Sequence, residues 1–172
     1  MSREYLEKLS KEQLIELIEL QSKNTLALDG YWFQGAEKTL GMDTAMELDT
    51  LAWSGFTVTE ARRIKKFLKL DNQAGLDGLA LALECRFNRN CHKATIERPD
   101  SNTLIYKVTG CVVQDARAAK GMEFHPCKPV GYVEYSKFAS TIDDRITCEC
   151  VSCYPDVTDA DAACIWKFIL NQ

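Results

Sequence analysis

Three cysteines fall within six positions in the stretch CECVSCYPD, residues 148–156. Cys150 and Cys153 have the C-x-x-C spacing, which lets two sulfur atoms reach one metal ion from a tight turn. On an extended strand, Cys148 and Cys150 would point to the same face, because side chains alternate with a period of two. The stretch therefore predicts either a thiolate metal site or reactive thiol chemistry in the second half of the chain.

A metal site built on this pair needs further ligands, because tetrahedral zinc takes about four. Cys127 lies in the predicted loop FHPCKPVG, and Cys111 lies where a predicted strand gives way to a helix. His125 is a substitute ligand two residues before Cys127. Soft thiolates select zinc or iron over cations that prefer oxygen. We predict one zinc ion held by Cys111, Cys127, Cys150 and Cys153, with an iron–sulfur cluster as the alternative cofactor.

The other cysteines have simpler interpretations. Cys164 alternates with large aromatic residues on a predicted strand, and Cys85 lies at a helix end beside apolar residues. Cysteine is among the most often buried residue types, so we predict that both belong to the core. Cys91 and His92 are adjacent on a predicted strand and would face opposite sides, so they are poorly placed to act together as nucleophile and base.

An enzyme is the first alternative to a metal-binding module. Cys127 lies next to Lys128 and two residues after His125. Neighbouring cationic groups lower the pKa of a thiol and so activate it as a nucleophile. This arrangement would fit a hydrolase, cysteine- or metal-dependent, that acts on a small compound containing sulfur or nitrogen.

Aromatic and acidic residues in the predicted second and third helices indicate a small-molecule pocket beside the metal. Both histidines lie outside these helices, which excludes the Glu-x-x-His pairs of a di-iron bundle. We predict that the pocket wall contains Asp29, Trp32, Phe33 and Trp53. An aromatic core flanked by solvated acids is the alternative interpretation of these four residues.

Composition restricts the class of protein. The 172 residues are 46% hydrophobic and 27% charged, with a formal net charge of −4. A net negative charge disfavours bulk binding to nucleic acid. The densest apolar run, LALAL, is far too short to span a bilayer, and the charged N-terminus lacks the apolar segment of a signal peptide. We therefore predict a cytoplasmic protein that does not bind membranes, and the sequence is compatible with a homodimer.

A basic run between residues 62 and 69 is the basis of the last alternative, an interaction or transcription-associated protein. Arg62, Arg63, Lys65, Lys66 and Lys69 follow the sequence SGF, which we interpret as a turn between two helices. However, Ile64, Phe67 and Leu68 form an apolar side of the same predicted helix. A solvated basic face is therefore the preferred interpretation.

The elements that must position these residues divide the chain in two. Residues 1–84 read as helices, the first opening with a capping box at SKEQ. Further helices are predicted over about 24–40, from Asp43 to Trp53, and from a second capping box at TVTE (57–60). Residues 85–172 read in the order β-β-α-α-β-β, which describes an antiparallel sheet with helices on one face. We predict an α+β fold in which a helical N-terminal half (1–84) packs on an α+β unit that binds metal or ligand (85–172), as one integrated body.

Several segments resemble a family of small cytosolic prokaryotic proteins of unknown function. They are LDGYWFQGAEKTLG, ELDTLAW, CVVQDARAAKG, CKPVGYVEYSKFASTIDDRI and CECVSCYPD. The second half is similar, more distantly, to four-vinyl-reductase or hydrocarbon-binding domains and to the L-2-amino-thiazoline-4-carboxylate hydrolase family. This resemblance implies a module that binds a small ligand or a metal, and it places the family's cysteine pattern on Cys111, Cys127, Cys150 and Cys153. The chain departs from the pattern at Tyr154, where a second proline is expected before Pro155.

Overall fold

The computed structural model describes residues 2–172. Six α-helices, a short 3₁₀ helix (Phe87–Cys91) and four strands make up this part of the chain. The helices are α1 (Arg3–Leu6), α2 (Lys11–Leu40), α3 (Met42–Leu68), α4 (Gly75–Glu84), α5 (Val112–Ala119) and α6 (Lys128–Ile142). The strands are β1 (His92–Asp100), β2 (Thr103–Cys111), β3 (Ile146–Cys153) and β4 (Cys164–Leu170).

The long helices α2 and α3 form a helical hairpin. The capping box predicted at the start of α2 is confirmed: the Gln13 amide donates to Ser10 Oγ over 3.2 Å, and the Ser10 amide donates to Gln13 Oε1 over 2.9 Å. Gly41 separates the two helices with a φ of 86°, a backbone angle that glycine adopts without steric cost. The hairpin brings the middle of α2 alongside the first half of α3.

Three predicted helix boundaries were wrong. Helix α2 runs unbroken from Lys11, and α3 runs unbroken through the SGF sequence to Leu68. A single mid-helix glycine such as Gly55 costs only about 1 kcal/mol, which tertiary packing of the same helix outweighs. Thr57 and Glu60, the ends of the second predicted capping box, therefore lie buried inside α3, and Gly41 rather than Asp43 precedes its first turn.

The predicted α+β class and the β-β-α-α-β-β order are confirmed. All four strands pair antiparallel in the order β1-β2-β4-β3. One face of this sheet is buried, with Leu104 and Tyr106 from β2 and Trp166 and Phe168 from β4 at its centre. Burial of each large apolar side chain contributes about 1.5–3 kcal/mol, so this face anchors the fold.

The two halves of the chain share one hydrophobic core. Helix α6 packs against β3, and α3 packs against α6 across the boundary at residue 84. Ala61 of α3 and Leu79 of α4 are fully buried in the same cluster as Phe138 of α6 and Trp166. A cavity lies between α2, α3, α5, α6 and the buried face of the sheet.

A bulge near the end of β3 determines where its last cysteine points. Cys150 lies opposite Trp166, and Cys153 lies opposite Cys164. A register shift between Cys150 and Ser152 inserts one extra residue into β3. Strict alternation would place Cys150 and Cys153 on opposite faces, and the extra residue restores them to the same face.

The basic end of α3 is only partly a solvated face. Lys66 is exposed, as predicted. Lys65 instead donates from Nζ to the carbonyl of Ile142 over 2.7 Å, at the C-terminal end of α6 where carbonyl groups lack helical partners. Phe67 is 76% exposed, so its assignment to the apolar side of the helix was wrong. In the described part of the chain, no helix is both long and apolar enough to cross a membrane.

Candidate functional site

A cavity of about 550 Å³ lies between α2, α3, α5, α6 and the buried face of the sheet. Its wall is mainly apolar, with Phe33 and Trp53 from the helical hairpin, Val130 from α6, and Val108 and Trp166 from the sheet. Polar side chains converge on it at one side. A largely apolar cavity of this volume with a few convergent polar groups is typical of small-molecule sites.

Three of the four residues predicted to form a pocket wall line this cavity. Asp29, Phe33 and Trp53 belong to its lining, whereas Trp32 does not and is 75% exposed. Successive residues of a helix point about 100° apart, so Trp32 turns away from the face of α2 that carries Phe33. The prediction for Trp32 was wrong because the sequence did not define that face with a regular apolar stripe.

The predicted thiol ligands lie near one another at the sheet side of the cavity. Cys111, Cys127 and Cys153 line it together with Cys164, while Cys150 lies outside the lining. Burial is the main cause of the raised pKa of Cys127, and the charges of Cys153 and Cys111 raise this pKa further. The structure thus brings together thiols from β2, β3, β4 and the loop before α6.

Thiols that line one cavity are not necessarily ligands of one metal ion. Among residues 2–172, no three or more His, Cys, Asp or Glu side chains are grouped as ligands of one ion. The side chains do not form an assembled tetrahedral site, and the zinc assignment stays a prediction.

Cys153 is the centre of a small group of hydrogen-bonded thiols. A hydrogen bond with Cys164, and a weaker one with Cys150, lower the pKa of the buried Cys153 thiol against the effect of burial. The same bond raises the pKa of Cys164 well above its ordinary value. Cys164 therefore shares a face with Trp166, as predicted, but it borders the cavity and contacts another thiol.

Two further predictions about individual residues need correction. Cys85, assigned to the core, is exposed, because it follows the last residue of α4, where the helix ends at the surface. Cys91 and His92 both line the cavity, so they are part of the candidate site as well as of the segment that leads into the hairpin. Cys91 ends the 3₁₀ helix rather than lying on a strand, so alternation does not separate the two side chains.

Cys127 and His125 form a close pair on the cavity wall. His125 Nδ1 lies 3.1 Å from Cys127 Sγ, and His125 Nε2 lies 3.5 Å from Asp49 Oδ2. The imidazole is buried and packs on Phe33 with their ring centroids 4.3 Å apart. Asp49 favours the tautomer with the proton on Nε2, and in that tautomer Nδ1 is the acceptor that faces the thiol. These three side chains have the order of a nucleophile, a base and a carboxylate that orients the base.

Gln114 of α5 fixes this pair in place. Its side-chain oxygen accepts from the His125 amide over 2.9 Å, and its Nε2 donates to the His125 carbonyl over 2.8 Å. The same nitrogen lies 3.3 Å from Cys127 Sγ. One amide side chain therefore holds the backbone of the 125–127 loop and supplies a donor beside the sulfur.

The resting thiol of Cys127 is neutral. Burial, followed by the charges of Cys153, Cys111 and Glu134, raises its pKa well above the ordinary value. The positive end of the 15-residue helix α6, which Cys127 immediately precedes, acts in the opposite direction. Lys128 does not assist, because its ammonium group pairs with Asp156 at 2.6 Å. Any nucleophilic reaction at this sulfur thus needs a base to remove its proton.

Asp29 is a carboxyl of the cavity lining whose pKa is markedly raised. Burial, then the charges of Asp49 and Glu134, raise its pKa to about 6, and His125 opposes them. In the described part of the chain, no hydrogen bond or cation compensates this carboxyl directly. Near neutral pH it therefore carries a negative charge that a ligand could stabilise.

Two arginines at the cavity are paired within the protein. Arg86 is buried and lies 2.9 Å from Glu60 Oε2 and 2.6 Å from Glu134 Oε1. Arg117 binds both oxygens of Glu37 at 2.8 Å, which ties α5 to α2. Among the described residues, these pairs leave Asp29 and Asp49 as carboxyls of the cavity lining without an arginine or lysine partner.

Several site residues were missed at the sequence level. Gln114, Glu134 and Cys164 contribute to the site, yet nothing in the spacing of their segments singles them out. Asp49 was not among the residues predicted to line the pocket. The useful signal for Asp49 would have been its separation of four residues from Trp53, which places both on one face of α3.

The chain belongs to a family described as a family of unknown function (DUF6125), whose profile matches residues 7–170. This match covers nearly the whole chain and agrees with the resemblance to an uncharacterised family. No curated protein matches the sequence.

Proposed function

We propose that this protein binds a small, largely apolar molecule that carries a basic nitrogen, and that it does so in the cavity between the helical hairpin and the sheet. The observation that carries the proposal is the combination of an apolar wall with Asp29, a cavity carboxyl that has no arginine or lysine partner among the described residues and whose pKa is raised to about 6 by burial and by nearby carboxylates. Such a cavity gains free energy from an apolar body and selectivity from one polar contact.

The charge distribution supports a basic rather than an acidic ligand. Glu134 and Arg117 are already paired with Arg86 and Glu37. Asp29 and Asp49 would repel a negatively charged ligand in the cavity, whereas a protonated amine would pair with Asp29. An ion pair shielded from water is worth more than one at the surface.

His92 supplies a second polar group for a ligand. It lines the cavity, and its buried Nδ1 has no hydrogen-bond partner among the described residues. Burial, followed by the charges of Arg86 and Arg89, lowers the pKa of His92, so the ring is neutral at pH 7. A hydroxyl or amide group of a ligand would satisfy this nitrogen, whose unpaired state costs about 1–3 kcal/mol.

Competition with a fluorescent probe tests this proposal. The neutral probe N-phenyl-1-naphthylamine should brighten on entering the cavity and should be displaced by 2-phenylethylamine more effectively than by 2-phenylethanol. The two competitors differ only in the group that would meet Asp29. In Asp29→Asn, the preference for the amine should fall by about tenfold or more, corresponding to about 1.4 kcal/mol.

Two variants separate cavity binding from surface binding. Val113→Trp places an indole in the cavity wall and should weaken probe binding, whereas Val151→Trp, on an exposed position of β3, should not. Equal binding by both variants, or an equal response to amine and alcohol in the wild type, would contradict the proposal.

Zinc binding is a second candidate activity, favoured by the position of Cys111, Cys127 and Cys153 in the lining of one cavity, where burial and, to a smaller extent, the charge of Cys153 raise the pKa of both other thiols. Elemental analysis of protein purified without an affinity tag tests it. Cys150→Ser and Cys153→Ser should each lose zinc if the prediction holds, and a visible absorbance band would indicate an iron–sulfur cluster instead. Cytoplasmic location, dimer formation and the disfavoured interaction with nucleic acid also stay predictions.

A further inference from the structure

The cavity wall contains a nucleophile that ligand binding alone does not require. Cys127 Sγ, His125 Nδ1, His125 Nε2 and Asp49 Oδ2 are linked by separations of 3.1 and 3.5 Å. All three side chains line the cavity. A buried imidazole held between a thiol and a carboxylate is the arrangement that activates a cysteine for covalent catalysis.

We infer that Cys127 attacks the carbonyl carbon of a small acyl compound bound in this cavity, with His125 as the general base and Asp49 as a positioning residue. This inference rests on the proposed function, because the substrate occupies the same cavity. Asp29 lines the same cavity as Cys127, His125 and Asp49. A basic nitrogen held by Asp29 would therefore keep the acyl group of the same molecule in the cavity that contains the sulfur.

The reaction with an ester is balanced as follows. The thiol proton moves to His125 Nδ1 as Sγ bonds to the carbonyl carbon, whose π electrons move to oxygen. When the carbonyl re-forms, the carbon–oxygen bond to the alcohol breaks and the alcohol leaves with the proton from His125. Water then adds to the thioester, losing a proton to His125, which returns it to the departing sulfur. The products are a carboxylic acid, an alcohol and the free thiol.

Gln114 is placed to stabilise the oxyanion formed in this reaction. Its Nε2 bears two hydrogens, of which one is directed to the His125 carbonyl and the other toward Cys127 Sγ. A donor beside the nucleophile can bond the oxygen on which charge develops. Removal of one such donor typically lowers kcat by about 10²–10³.

His125 Nδ1 lies 3.1 Å from Cys127 Sγ, so it is the group placed to take the thiol proton as the sulfur attacks. Acylation should therefore depend strongly on His125. General-base catalysis contributes about 10²–10⁴ in rate. Cys85 offers a comparison because it is an exposed thiol outside the cavity lining.

Acylation by p-nitrophenyl 3-phenylpropanoate tests the inference. The full-length wild-type chain should release p-nitrophenolate in a burst of about one equivalent, and peptide mass mapping should place the acyl group on Cys127. Cys127→Ala and Cys127→Ser should lose the burst, Cys85→Ser should retain it, and His125→Asn should slow it by about 100-fold or more.

The positioning role of Asp49 needs a measurement that would give a different result if Asp49 only supported the structure. Asp49→Ala should lower the acylation rate without altering the concentration of ester that gives half the maximal rate, and Asp49→Asn, which retains an oxygen acceptor, should recover part of the loss. Equal loss in both variants would overturn the positioning role.

Three results would contradict the assignment of Cys127 as the nucleophile. They are acylation at another cysteine, a burst unaffected by His125→Asn, and stoichiometric zinc that disappears in Cys127→Ala. Intact displacement of the naphthylamine probe by 2-phenylethylamine, without any acylation, would refute the chemistry and leave ligand binding standing. Failure of the wild-type protein to bind the naphthylamine probe would refute both the ligand binding and the acylation chemistry.

Discussion

Replacement of Asp29 by asparagine should stabilise the protein at neutral pH. Asparagine has nearly the same shape but carries no charge, so it removes the cost of holding a carboxylate in the cavity. The pKa of Asp29 is raised from 3.8 to about 6, and each pH unit of this difference corresponds to about 1.36 kcal/mol. The resulting upper bound is about 3 kcal/mol, which partial exposure to solvent reduces to about 1–2 kcal/mol.

The pH dependence of this stabilisation has a definite sign. Below pH 3.8 the carboxyl is protonated in both the folded and the unfolded chain, and Asp29 costs nothing. As pH rises from about 3.8 to about 6, the unfolded chain releases this proton first, so the wild type loses stability relative to the variant. Above pH 6 the difference stays constant.

Urea unfolding at pH 4 and pH 7.5 measures the effect. The difference in free energy of unfolding between Asp29→Asn and the wild type should be near zero at pH 4 and about 1–2 kcal/mol at pH 7.5. Glu19→Gln removes an exposed carboxyl from the same helix, α2, and should show no such change. A variant that is equally or less stable than the wild type at pH 7.5, or a benefit that is the same at both pH values, would refute the reasoning.

Three other substitutions probe the packing and charges around the site. Gly131→Ala should destabilise the protein by about 1–3 kcal/mol in thermal unfolding, because its Cβ would lie 2.7 Å from Trp166 Cζ2, whereas Gly35→Ala, with no atom within 4 Å, should be neutral or stabilising. Arg86→Met should cost about 3–5 kcal/mol in urea unfolding, because it leaves two buried carboxylates without their cation, and a loss below 1 kcal/mol would contradict this role. Lys66→Glu should change the free energy of unfolding by less than about 0.5 kcal/mol and leave probe binding intact. A loss of probe binding in this variant would point to a partner surface on α3.

Local patterns in the chain determined most of the elements. The capping box at Ser10, the turn residues between β1 and β2, and the alternation around Trp166 act within a few residues, so the fold class and the order of elements along the chain could be predicted from them. Helix continuity was less predictable, because Gly55 weakens a helix by a small amount that packing along all of α3 outweighs. Local propensity alone does not contain that larger contribution.

The site depended on contacts that no local pattern records. The sequence determined that Cys127 and His125 lie close, since they are two residues apart, and it placed Asp29 on the same helix face as Phe33. Only the tertiary structure brought Asp49 of α3 and Gln114 of α5 to that pair. Asp49 is far from the pair along the chain and reaches it because α3 packs on α6, and Gln114 reaches it because the 125–127 loop folds back against α5. The bulge in β3, a single extra residue, likewise decided that Cys153 faces the core, and alternation alone predicts the opposite.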